Sequence, residues 1–158
     1  MKGNNGTGNT EDRDDWWTPQ WLFDKLNEQY NLSYDCCATK DNKKCPFYCD
    51  DFLNDDELII GAAWMNPPFT KAYEMFEQFF KVVEGGVAIY RCDNMETKIW
   101  QNIILKNATW VFVPKGRISY EGKAGKGSRF PSALIGFNVP EPIELDGYSL
   151  NLNKESQE

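Results

Sequence analysis

The sequence predicts an α/β fold: a mostly parallel sheet flanked by helices on both faces and closed by a C-terminal antiparallel hairpin. Three observations predict it. Short apolar strand segments alternate with amphipathic segments of helical period from residue 19 to residue 108. Proline and glycine punctuate the joints, at Pro19, Pro67-Pro68 and Gly85-Gly86. Two further strand segments then close the chain with no helix between them.

Residues 1–13 are rich in Gly, Asn and Thr and predict a disordered tail ahead of one domain over 14–140, with an acidic extension over 141–158. Thr18-Pro19 predicts a helix start, Thr18 as N-cap and Pro19 at the first helical position, with Trp21, Leu22, Lys25, Leu26 and Gln29 following at helical spacing. "LSYDCCA" predicts a short strand ending near Asp35, and the polar loop after it holds a short strand or turn at Phe47-Tyr48. "ELIIGAAWM" predicts a strand running to Asn66. The next segment puts Tyr73, Met75, Phe76, Phe79, Phe80 and Val83 on one helical stripe, which Gly85-Gly86 should stop. "VAIYRC" predicts a strand, "METKIWQNIILKNA" a helix with Ile99, Ile103 and Ile104 inward, and "TWVFVP" a strand. "GRISY" and "SALIGFNV" predict the closing hairpin.

The 158 residues, 41% hydrophobic and 15% aromatic, suit one domain with a real core. No apolar run approaches the ~20 residues of a membrane helix, and the first residues carry no apolar signal core, so a cytoplasmic protein is expected. There is no histidine, which excludes Ser-His-Asp and Cys-His nucleophilic sites and an imidazole base. The five cysteines lack the paired spacing of zinc ligands, so no metal is expected and buried free thiols are. The formal net charge is −7, yet residues 114–129 hold Lys115, Arg117, Lys123, Lys126 and Arg129 against Glu121 alone. A basic, glycine-punctuated loop on an acidic body fits local contact with phosphate, or equally a solvated loop.

Open α/β sheets bind ligands beyond the carboxyl ends of their strands. Asp35, Asn66 and Arg91, with Asp93 and Asn94, fall at such ends in this reading. The stretch "WMNPPF" is the most informative. Pro67 and Pro68 each fix φ near −65° and lack an N–H, and each pushes the residue before it into an extended conformation. Carbonyls should stand free beside the Asn66 amide, next to the flat face of Phe69. A stiff fork of acceptors beside a ring suits a planar group bearing an amino substituent, such as a flipped base. A plain strand-ending turn explains the same four residues structurally.

"NPPF" after an apolar strand resembles the catalytic motif of amino-directed DNA methyltransferases. "WWTP", "DCCAT" followed by "KCPFY", "WMNPPF", "RCDNMETKIW", and "KGRISY" followed by "PSALIGF" stand in the order seen in the compact phage N-6 adenine DNA methyltransferase family. The resemblance spans about Asp15 to Phe137. It implies a Rossmann-like class I methyltransferase fold, S-adenosylmethionine as cofactor, DNA as partner, and the cytoplasm of a bacterial host; a second copy of the chain is a candidate partner. It assigns Asn66, Pro67, Pro68 and Phe69 to catalysis. It assigns Trp17, Thr18, Pro19, Asp35, Cys36, Ala38, Asp51 and Phe52 to the cofactor. It assigns Arg91, Lys115, Arg117 and Ser132 to the substrate, and the charge of the basic loop adds Lys123, Lys126 and Arg129 as candidate substrate contacts. The turn at "DCCAT" has no Gly-x-Gly, and Phe69 stands where tyrosine is commoner. N-4 cytosine methylation uses the same acceptor fork, and an inactive nucleic-acid-binding protein of the same fold is the alternative of a different class.

Overall fold

The computed structural model describes residues 16–121, 130–142 and 144–152. The 1–13 tail and the candidate substrate residues Lys123, Lys126 and Arg129 lie outside the described residues. Among the described residues, strands β1 (Leu32–Asp35), β2 (Phe47–Tyr48), β3 (Ile59–Met65), β4 (Val83–Arg91), β5 (Trp110–Pro114), β6 (Ser132–Phe137) and β7 (Gly147–Asn151) form one sheet in the order β2-β1-β3-β4-β6-β5-β7. The pairs β2/β1, β1/β3 and β3/β4 are parallel, whereas β4/β6, β6/β5 and β5/β7 are antiparallel. The sheet is therefore evenly mixed rather than mostly parallel.

Period-two alternation divides each central strand between two cores. Trp64, Val87, Ile89, Trp110, Phe112 and Leu134 face one side, under α1 (Gln20–Tyr30) and its buried Leu22, Phe23, Leu26 and Tyr30. Ala63, Met65, Ala88, Val111, Ala133 and Ile135 face the other, under α2 (Ala72–Val82) with Met75, Phe76, Phe79 and Val82. Trp100 and Ile104 complete that second core from a π-helical segment, Ile99–Ile104, which runs into α3 (Leu105–Asn107).

Four local expectations differ from the structure. Pro19, not Thr18, caps α1, because the Thr18 hydroxyl is drawn to Asn66 instead. Trp21 is half exposed, and Phe23 takes the inward position. Gly85-Gly86 do not end α2; they lie inside β4, where backbones press close. A Cβ on Gly86 would come within 2.2 Å of the Ala63 carbonyl oxygen across the β3/β4 pair, so glycine is required there for contact rather than for a stop. The closing hairpin does not form as expected either. Residues 116–120 make no strand, and β6 pairs with β4 and β5. Ile118 and Tyr120 still alternate inward, and the neighbouring Glu121 backbone pairs with Trp17 in an isolated antiparallel bridge. Residues 147–151, from the acidic extension, supply the edge strand β7.

Of the sheet glycines Gly86, Gly136 and Gly147, Gly136 has the least room. A Cβ there would lie 1.9 Å from the Trp110 ring. Gly136→Ala must displace that indole, whose Nε1–H donates to the Val139 carbonyl at 2.7 Å. It should cost about 3 kcal/mol, by overpacking, measured as a lower midpoint in urea with an unchanged slope.

Candidate active site

The chain leaves β1 for β2 on one side and returns to β3 on the other. The strand order thus reverses between β1 and β3, where open sheets form a crevice beyond their carboxyl ends. A cavity of about 170 Å³ lies at that crevice. It is smaller than the ~300–1,000 Å³ of a whole-ligand pocket, so it fits one end of an elongated ligand. Trp17, Thr18, Asp35, Ala38, Asn66 and Pro68, all singled out in the sequence, meet around it.

Asn66 follows the last residue of β3 and is half-buried. Its Nδ2 donates to the Trp16 carbonyl at 2.7 Å and to Thr18 Oγ1 at 3.0 Å. Both amide hydrogens are thereby committed, which sets the orientation of the amide and leaves Oδ1 as its acceptor. Of the proline carbonyls, that of Pro68 accepts from the Lys71 N–H at 3.2 Å as a 3₁₀ turn begins at Phe69. No hydrogen bond to the Pro67 carbonyl forms among the described residues. The bracket thus keeps two acceptors, one fewer than if every carbonyl stood open.

Asp35 ends β1 and is 2% exposed. Its Oδ1 accepts the Cys37 N–H at 3.2 Å and its Oδ2 the Lys44 N–H at 2.9 Å, so the carboxylate ties together both ends of the loop over the cavity. Burial pushes its pKa up to about 6, and the two N–H donors and the Lys44 charge offset only part of that. A carboxylate this reluctant to ionise beside a cavity is matched by a cationic ligand.

Trp16, Cys37, Thr39, Asn42, Lys44, Asp50 and Trp64 also line the cavity. Sequence reasoning missed them. The signal available was positional: a loop from Asp35 to Asp50 that leaves β1 and returns to a parallel neighbour passes the carboxyl end twice. Trp16 is 3% exposed, and its Nε1–H has no acceptor among the described residues. A buried donor without a partner is costly unless something supplies one.

Other singled-out residues lie elsewhere. Pro19 starts α1 outside the lining. Cys36 is fully buried in the core under α2, where burial pushes its thiol well above the ordinary value. Asp51 bonds Asn54 at 2.8 Å, and Phe52 is buried, so Asp50 is the acidic residue that reaches the cavity. Ser132 is buried against the Tyr120 hydroxyl at 2.8 Å. Lys115 and Arg117 are exposed on the loop after β5.

Phe69 is not part of the cavity lining. Its ring stacks on Trp16 at 6.3 Å and meets Phe130 at 5.4 Å and Tyr90 at 6.0 Å. Arg91 lies over the rings of Phe69 and Phe130 and is paired with Asp93. Trp16 belongs to both groups, lining the cavity and stacking on the ring.

All five cysteines are free thiols. No group of three or more metal-type side chains comes together among the described residues, and none of their helices is long and apolar enough to cross a membrane.

The family model for DNA N-6-adenine-methyltransferase (Dam) matches residues 5–133. The chain belongs to the Dam family. The matched span takes in the cavity, the Asn66–Phe69 bracket and Arg91, and it ends inside β6. No curated protein matches the chain. As a member of the Dam family, the chain has DNA as its implied substrate and adenine as its implied base.

Proposed function

We propose that the chain methylates the N-6 amino group of an adenine turned out of DNA, with S-adenosylmethionine as donor, on a Rossmann-like sheet. The observation that carries this reading is the committed Asn66 amide, whose Oδ1 is left as an acceptor at the end of β3 beside the cavity.

The residues present fit the donor. Asp35 is a buried carboxylate suited to an ammonium group, Asp50 and Asn42 offer polar groups to a ribose, and the Trp16 indole N–H has no acceptor among the described residues. When bound, S-adenosylmethionine supplies an electrophilic methyl on a sulfonium.

The chain prepares the nucleophile. The amino lone pair of adenine is delocalised into its ring and attacks poorly. Asn66 Oδ1 and the Pro67 carbonyl each accept one amino hydrogen. That favours a pyramidal nitrogen, frees the lone pair, and stabilises the positive charge that grows on nitrogen. The prolines hold these oxygens still, so little reorganisation is needed at the moment of transfer. No imidazole is required, in keeping with a chain that has none. Phe69 offers a ring against which the turned-out base stacks.

The test is chemical. The chain is incubated with labelled S-adenosylmethionine and DNA, the DNA is digested, and the nucleosides are separated. Label in N-6-methyladenine is expected; label in N-4-methylcytosine, or none, overturns the reading. Phe69→Ala should weaken binding of the turned-out base by ~1–3 kcal/mol, the scale of one base on one ring. Phe69→Tyr keeps the ring and should bind as before. A 2-aminopurine titration measures both.

A further inference from the structure

Arg91 is placed as though to meet DNA, but its bonding points inward. Its fork is closed on one carboxylate: Nε donates to Asp93 Oδ1 at 2.9 Å and Nη2 to Asp93 Oδ2 at 2.7 Å. Its guanidinium carbon lies 4.6 Å from the Phe130 ring centre and 5.3 Å from that of Phe69, within the ~6 Å of a cation–π contact. Its backbone is held as well. The Arg91 carbonyl accepts the indole N–H of Trp100 at 3.1 Å, and Arg91 pairs with Ser132 in the β4/β6 ladder. Trp100 is 1% exposed and sits in the π-helical segment. Backbone, the Nε/Nη2 edge and one face are thus engaged, and Asp93 is drawn below the usual carboxylate range by Arg91, with Arg117 adding to the effect. The edge that Asp93 holds is closed to a second bidentate partner, and the same contact keeps the guanidinium over the two rings.

We propose that Arg91 and Asp93 form a positioning pair that fixes the Phe69 ring at the rigid Asn66–Pro68 bracket, and that Arg91 is not a phosphate ligand. This rests on the methyltransferase reading above. Asp93 holds the guanidinium over Phe69 and Phe130. The guanidinium in turn sets the tilt of Phe69, the first residue after the two prolines, and so the wall offered to the base. Removing the clamp lets the ring turn without moving the acceptors.

The test is a double-mutant cycle in full-length protein. Arg91→Met keeps an apolar stem over the rings and removes the charge. It should lower kcat about tenfold, the scale of a partly desolvated cation–π contact, with Kd for DNA unchanged and the salt dependence of binding intact. In a Phe69→Ala background the same change should lower kcat no further, because Arg91 acts through that ring. Asp93→Asn, a change at a part-exposed residue, should show the same non-additivity with a smaller loss, and it answers the question if Arg91→Met folds poorly.

Additive losses, or no loss in kcat, would overturn the proposal. So would a raised Kd with a salt slope shallower by about one, the mark of a lost phosphate contact. A readout independent of turnover separates this from the reading it rests on. The Arg91 Nε–H resonance should be shifted by the rings and should move on Phe69→Ala; if it does not move, the clamp is absent even where methyl transfer is active. If the unmodified chain transfers no methyl group but the resonance moves, it is the methyltransferase reading that fails.

Discussion

Asn66→Ala should lower kcat by ~10²–10³, the typical loss when one preorganised transition-state partner is removed. The Asn66 side chain has two duties, and the variant ends both. Oδ1 no longer accepts an amino hydrogen, so the base nitrogen stays planar. Nδ2 no longer donates to the Trp16 carbonyl and Thr18 Oγ1, leaving a carbonyl of a nearly buried residue unpaired at a cost of about 1–3 kcal/mol. That cost is a fraction of the ~5–15 kcal/mol that holds a domain together, so the variant should fold. Single-turnover transfer, measured on protein shown to be folded by circular dichroism, separates the two duties. Full activity in that variant would end the assignment of Asn66 to the chemistry.

Acidification should weaken binding of S-adenosylmethionine by up to tenfold per pH unit below about 6, the pH at which Asp35 takes up a proton. The ligand cation favours the ionised carboxylate, so binding below that pH must release a proton. The free protein should show the opposite trend. The Asp35 pKa is raised from 3.8 to about 6, so between those values the folded chain keeps a proton that the unfolded chain gives up. The stability contributed by this group is complete below about 4 and is lost as pH rises through about 6, a swing of about 3 kcal/mol. Saturating ligand should cancel the trend. Calorimetric titration from pH 5 to 8 measures the first effect and thermal melting with and without ligand the second. Asp35→Asn should remove the pH dependence and most of the affinity. If pH leaves both affinity and melting unchanged, the cavity is not a cation site built on Asp35.

The bracket was legible because its physics is local. Two prolines fix φ and delete donors wherever they stand, and an apolar run before them, ending at Met65, reads as a strand. The strand-end positions of Asp35 and Arg91 were legible for a related reason: each ends a short segment of strand character, and strand ends in such sheets gather on one edge. The errors have physical causes too. Gly85-Gly86 carry the same signature whether they stop a helix or let two strands approach, and the decision rests with Ala63, some twenty residues earlier. "GYSLN" has weak strand character, and β7 exists because β5 presents an open edge to it. "GRISY" has the alternation of a strand, but both edges of β6, its expected partner, are taken by β4 and β5, so its side chains pack inward without that ladder. The resemblance points to Asp51 while Asp50 lines the cavity, and nothing in one dimension tells which of two adjacent acids turns toward it.

The sequence by itself determined the two-sided core, the rigid acceptor bracket, and the absence of any imidazole chemistry, because composition, hydrophobic period and proline stereochemistry act within a few residues. The tertiary structure alone decided which groups face the cavity, which hydrogens of Asn66 are committed, and that Arg91 closes on Asp93 over two rings. Those outcomes depend on contacts between segments up to about fifty residues apart, such as Asn66 with Trp16. No local propensity encodes the partner of such a contact; it is selected when the chain packs and each buried donor must find an acceptor.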